Sequence, residues 1–85
     1  MHTQVLEANT DVTARTPMLR MAKHWRANGQ INQAIGAYTQ LMRRYPGSEE
    51  ARDAATEILS LAQAYELQGQ YRMAMSLYEK LERLT

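Results

Sequence analysis

Two stretches of this chain repeat one pattern forty residues apart. Met21-Ala22, Trp25, Gly29-Gln30, Ala34, Tyr38 and Leu41 return as Leu61-Ala62, Tyr65, Gly69-Gln70, Ala74, Tyr78 and Leu81. A self-similar period of this length means a supersecondary unit that cannot bury its apolar face alone and is stacked on its own copy. In an 85-residue chain there is room for two such units. A domain of that size buries a modest share of its surface, so efficient packing or association between molecules has to supplement the core.

Each unit reads as a pair of amphipathic helices. In the first, Thr16-Pro17 supplies a cap and a proline at the opening helical position, and Met18, Met21, Ala22 and Trp25 come at i, i+3, i+4, i+7. Gly29 suits the left-handed residue that closes a helix, after which Ile31, Ala34, Ile35, Tyr38, Leu41, Met42 and Tyr45 keep the same period. Tyr45-Pro46-Gly47-Ser48 is the strongest break in the chain: the proline forces Tyr45 out of the helical region and Ser48 caps the third helix. That helix opens on Glu49 and Glu50, which favour its positive end, buries Ala51, Ala54 or Ala55, Ile58, Leu61, Ala62 and Tyr65, and stops at Gly69. The fourth carries Tyr71, Ala74, Met75, Tyr78 and Leu81. Residues 1–15 show neither helical nor alternating periodicity and read as a flexible tail ahead of one domain over 16–85.

The spacing Met18-x-x-Met21-Ala22-x-x-Trp25, Ala34-x-x-x-Tyr38, Pro46, matched by Ile58-x-x-Leu61-Ala62-x-x-Tyr65 and Ala74-x-x-x-Tyr78, resembles the tetratricopeptide repeat. The resemblance covers roughly residues 15–85. It implies an all-α fold of two stacked antiparallel helix-turn-helix hairpins, with helices at about 17–28, 31–45, 49–68 and 71–84, wound into a right-handed superhelix. Repeat one takes about 16–48 and repeat two about 49–85. The alanines let helices approach closely and the rings beside them fill the remaining space, so these aromatics read as core. Gly36, inside the second helix, reads as a close-packing or tolerated residue.

The chain departs from the family pattern in three ways. The family period is about 34 residues, and the surplus here falls between Gly47 and Glu57. The third helix is therefore expected to overhang the stack by about six residues, roughly 9 Å at 1.5 Å each. Val5, Leu6 or Val12 of the tail could then cover Ala51, Ala54 and Ala55. Second, Gln33, Ala37 and Arg44 of the first unit become Met73, Leu77 and Leu84 in the second, an apolar stripe read as a contact surface for another copy or another protein. Third, the resemblance implies a concave groove lined by first helices, here Leu19, Lys23 and Arg26 with Leu59, Gln63, Glu66 and Leu67. One specialised group in the family grips chaperone C-terminal carboxylates through lysine, asparagine and arginine. Leu19 and Lys23 stand where its first lysine and asparagine belong, which argues against that ligand. Apolar anchors with a mixed-charge rim suit an amphipathic helix or an extended peptide.

Composition narrows the chemistry. The chain has no cysteine, and its histidines are His2 in the tail and His24 in a helix, so no nucleophile with its base, metal cluster or phosphate-cradling loop can be assembled. The reading is a non-catalytic protein-interaction module, a scaffold or adaptor with no cofactor and no metal; self-assembly through the fourth helix and the overhang is the alternative. Net charge is +1, but residues 1–48 hold six cations against two anions, net +4, and residues 49–85 four against seven, net −3. Such halves can attract one another between molecules. A basic first half also admits RNA binding, which the short array and low overall charge disfavour. No apolar run reaches membrane-spanning length, and the opening residues lack the basic head and apolar stretch of a secretory signal. These features point to a soluble cytoplasmic protein, provided that no leader has been removed.

Overall fold

The computed structural model describes residues 2–85, with side chains described from Ala14 onward. Its four helices are, in chain order, α1 (His2–Ala27), α2 (Ile31–Arg44), α3 (Glu49–Leu67) and α4 (Tyr71–Leu84). The most extensive packing is within the hairpins α1·α2 and α3·α4, then between α2 and α3, with lighter contact of α1 on α3 and of α2 on α4. This is the expected stack of two antiparallel hairpins.

Both hairpin turns close in the same way. Gln30 N–H donates to the Trp25 carbonyl and Gly29 N–H to that of Arg26, at 2.8 and 3.1 Å; Gln70 to Tyr65 and Gly69 to Glu66 repeat the pair at 2.9 and 3.0 Å. This six-to-one and five-to-two pattern needs a residue in the left-handed region after the helix, and Gly29 and Gly69 stand there with φ of 80° and 79°. Between the hairpins Ser48 is a working cap: its hydroxyl accepts from Ala51 N–H at 3.1 Å and donates to the Tyr45 carbonyl at 2.7 Å.

The period's surplus length lies in α3, whose 19 residues exceed the 14 of both α2 and α4. Ala51 and Ala54 on its first turns are buried in the core, and Ala51 and Ala55 line a cleft of about 260 Å³ with Met42, Pro46, Leu84 and Thr85. The expected covering of these alanines by Val5, Leu6 or Val12 falls on side chains outside those described. The start of α1 differs from expectation. Instead of beginning at Pro17, the helix runs through it, so Ala14 and Arg15 belong to α1 and not to a tail, and Thr16 lies inside the helix. The reason is tertiary. Arg15 Nε lies 3.6 Å from Glu50 Oε1 with its guanidinium over the Tyr45 ring, and the Thr16 hydroxyl, instead of capping α1, donates to Glu50 Oε2 at 3.3 Å. Pro17 still lacks the N–H for its own ladder bond, so the helix is one hydrogen bond short at that turn.

One core runs through both hairpins. Ala22, Ala34, Ala54, Ala62, Tyr38, Leu41 and Ile58 are fully enclosed, with Ile35, Met42, Ala51, Leu61, Ala74 and Leu77 nearly so. Alanines on α1, α2 and α3 at zero exposure are what close approach of these helices requires. Two parts of the expected pattern are corrected. Tyr71 and Met75, on the apolar face read for the fourth helix, are 65% and 58% exposed, whereas Leu77, expected on an outward contact stripe, is 2% exposed within the core. The buried line of α4 is Ala74, Leu77, Leu81 and Leu84, at i, i+3, i+7, i+10, because α4 packs mainly on α3. Of the stripe Met73, Leu77 and Leu84, only Met73 is exposed; Leu84 is half-buried against the core. Gly36 is exposed, and a methyl group built there meets nothing within 4 Å, so it serves no close packing.

These placements can be checked by two stability measurements. Leu77→Ala should destabilise the chain by about 2–5 kcal/mol, the cost of a core leucine truncation, read as a lower urea midpoint. Gly36→Ala should stabilise it by about 0.8–1 kcal/mol through helix propensity alone, raising that midpoint.

Candidate functional site: the outward face of α1 and α3

Leu19, Lys23 and Arg26 lie on one face of α1 at i, i+4, i+7, and Leu59, Gln63, Glu66 and Leu67 on one face of α3 at i, i+4, i+7, i+8. The two helices touch directly, and Arg26 reaches across to Glu57 and Ser60 of α3. Their residues are unequal in availability. Leu19 is half-buried and packed against the core. Lys23, Gln63 and Glu66 are exposed, Leu59 is 40% exposed, and Leu67 is 90% exposed. The exposed candidates are thus two apolar side chains and an anion on α3 and a cation on α1.

Arg26 is committed elsewhere. Its Nη1 lies 2.6 Å from Glu57 Oε1, a charge-assisted bond, and its Nη2 donates to Ser60 Oγ at 3.1 Å. The same Glu57 oxygen accepts the Tyr38 hydroxyl at 3.1 Å. One carboxylate therefore ties α1, α2 and α3 together where the first repeat meets the second. Tyr38 is fully enclosed, and its phenol is pushed well above the usual tyrosine range, first by burial, then by the charge of Glu57 and by the hydrogen bond to it, with Arg26 opposing. This polar link was not legible in the sequence beforehand; the signal was a carboxylate on the third helix at the level of a core tyrosine's ring edge.

Glu66 has its own tie. Its Oε1 accepts the Tyr78 hydroxyl at 2.7 Å, and that bond is the main cause of a raised phenol pKa, followed by burial and by the Glu66 charge. Tyr38 and Tyr78 occupy matching positions, so both repeats tether the tyrosine of the second helix to a glutamate, by different routes. His24 is exposed and its carbonyl accepts from the Asn28 side chain at 2.8 Å, in keeping with a plain helical residue. Among the described residues no group of acidic or histidine side chains could hold a metal ion, and no helix is long and apolar enough to cross a membrane.

Tyr38→Phe isolates the hydroxyl's share of the seam, because Glu57 keeps Arg26 as its partner. A loss of about 0.5–1.5 kcal/mol is expected at neutral pH by denaturant unfolding. The folded phenol ionises at higher pH than the unfolded one, whose ordinary value is 10.0. Its contribution is therefore complete below about pH 10 and is lost as pH rises toward the folded value. The stability gap between wild type and Tyr38→Phe should shrink above about pH 10; a constant gap through that range would contradict the assignment.

Comparison with known proteins supports the same division of the chain. The tetratricopeptide repeat family model matches residues 18–48 and again 58–84. The unmatched residues 49–57 between the two segments are the first turns of α3, where the surplus length lies. No characterised protein and no solved structure gives a match. Tetratricopeptide repeats generally mediate protein–protein interaction and are typically non-catalytic. The doubled match, the four helices and the paired hairpin closures together place this chain in the tetratricopeptide repeat family.

Proposed function

We propose that this protein is a non-catalytic interaction module that binds a peptide or a partner subunit on the outward face of α1 and α3. The observation that carries the reading is the exposure of Leu59 and Leu67, on one face of a helix whose other apolar residues are largely buried. Two leucines eight residues apart lie about two helical turns, or 12 Å, from each other, a spacing that apolar anchors of an amphipathic helix or an extended segment can meet. Lys23 on one side and Glu66 on the other orient the ligand by charge, while Gln63 between the leucines offers both a hydrogen-bond donor and an acceptor. Arg26 acts as a wall of the groove and not as a free cation, since Glu57 and Ser60 hold it. Leu19 supports the groove's floor from within the core.

A two-repeat surface of this kind is shallow, so single-site affinity should be modest and gain from several copies acting together. RNA binding has less support: Arg15 and Arg26 of the basic first half are paired with Glu50 and Glu57, and two repeats make a short array.

Selection from a displayed peptide library tests the reading. Enriched peptides should carry two apolar anchors with an acidic residue near one end, to meet Lys23. Leu59→Glu should weaken a selected peptide by at least about tenfold, as expected when an anchor worth about 1.4 kcal/mol or more is lost. Lys23→Glu should discriminate against acidic peptides in the same titration. Selected peptides that bind both variants as tightly as the wild type would place the site elsewhere.

A further inference from the structure

Shifting each residue of the α2–α3 seam by one repeat turns an internal contact into one that α4 would make with a helix laid beside it. Ile35, Tyr38 and Met42, buried on α2, correspond to Met75, Tyr78 and Glu82 on α4. Ile35 is 8% exposed, and Met75 is 58% exposed. On the other side of the seam, Ile58 and Leu61 of α3 correspond to Met18 and Met21 of α1. Leu61 is 6% exposed, and Met21 is 48% exposed at the edge of a depression of about 410 Å³ formed with Pro17, Arg20 and His24. The two ends of the molecule thus present the two halves of an interface that is already assembled in its middle.

Charge indicates what those halves fit. At the internal seam Arg26 reaches Ser60 at 3.1 Å and Glu57 at 2.6 Å. In the second repeat Glu66 stands in the place of Arg26, and in the first repeat Arg20 stands in the place of Ser60. Laid against a second copy in the register of the internal seam, Glu66 of one molecule meets Arg20 of the next. Pro17 replaces Glu57 at the remaining position, so Glu66 meets no carboxylate there. Both side chains are exposed in the single chain. The net charges of the halves, +4 for residues 1–48 and −3 for residues 49–85, act in the same direction over longer range.

We propose that the chain stacks head to tail with further copies of itself, α4 and the end of α3 of one molecule packing on α1 of the next. Glu66 pairs with Arg20 across the junction, and Met75 and Tyr78 cover Met21 and Pro17. The contact is heterologous: each added copy leaves one free face of each kind, so assembly grows with concentration and does not halt at a dimer. Arg20 lies outside the proposed groove whereas Glu66 is shared with it, so Arg20→Glu tests stacking apart from peptide binding.

Sedimentation velocity from micromolar to millimolar concentration at low salt tests the proposal. The wild-type mean mass should rise past that of a dimer. Arg20→Glu and Glu66→Arg, each checked for an intact helical melt, should each weaken association about tenfold or more by placing like charges together. The two reversals combined in one chain should restore it. Tyr78→Phe, which removes only the internal partner of Glu66, should still associate. If a reversal disturbs folding, Arg20→Ala and Glu66→Ala take its place with a smaller expected loss. A mass that stays at one chain throughout, or that stops at a dimer, overturns the proposal. So does association indifferent to either single substitution, or a double reversal that fails to recover.

Discussion

The seam between α2 and α3 is what makes one molecule out of two hairpins. Each hairpin is closed by its own glycine turn and would bury one apolar stripe without help. At the seam Ile35, Tyr38 and Met42 on α2 meet Ile58 and Leu61 on α3 in a shared core, and alanines at zero exposure bring the backbones close enough for the larger side chains to interlock. Glu57 adds direction to that apolar contact. It holds an arginine from α1 and a tyrosine from α2 on one oxygen, which fixes the level at which the second hairpin sits on the first. Because the carboxylate is only partly buried, this precision carries a smaller desolvation penalty than a sealed ion pair would.

The hairpins themselves were open to reading from the chain because their determinants are local. Gly29, Gly69, Pro46 and Ser48 act on backbone dihedrals and caps within a few residues of themselves, and they stand in the structure where those dihedrals and caps are found. The surplus of the forty-residue period was equally legible: α3 carries it, and the family match skips it. Less legible was which part of an apolar arc would face inward. On α2, covered by α1 on one side and α3 on the other, Ala34, Ile35, Tyr38, Leu41 and Met42 are buried. On α4, which packs mainly on α3, the matching residues Met75 and Tyr71 stay in solvent and Leu77 turns inward instead. Periodicity identifies the arc of a helix, and the number of neighbours decides how much of it is used.

The candidate groove has a similar division. Spacing groups its residues on helix faces, yet the commitment of Arg26 was not legible, because its partner Glu57 lies in the segment that departs from the family pattern. The start of α1 obeys the same logic. Pro17 and Thr16 carry every local sign of a helix opening, yet the helix runs through them, and the side chains of Arg15 and Thr16 engage Glu50 and Tyr45. In each case a tertiary partner more than thirty positions away, or on a neighbouring loop, decided what local chemistry left open.

The uneven distribution of packing also bears on how the chain reaches and leaves its folded state. Contacts are densest within each hairpin, between segments joined by turns of a few residues, so most native interactions require little loop closure. Such a topology favours rapid formation of each helical pair, with docking of the pairs as the later event. It also sets the path of partial opening. Separation at the α2–α3 seam breaks no helical backbone bond, leaves two hairpins still joined through Tyr45-Pro46-Gly47-Ser48, and requires release of the side chains that converge on Glu57. That carboxylate is one of the ties that opening of the seam must break, along with the apolar contacts of the shared core and the Arg15 and Thr16 contacts to Glu50.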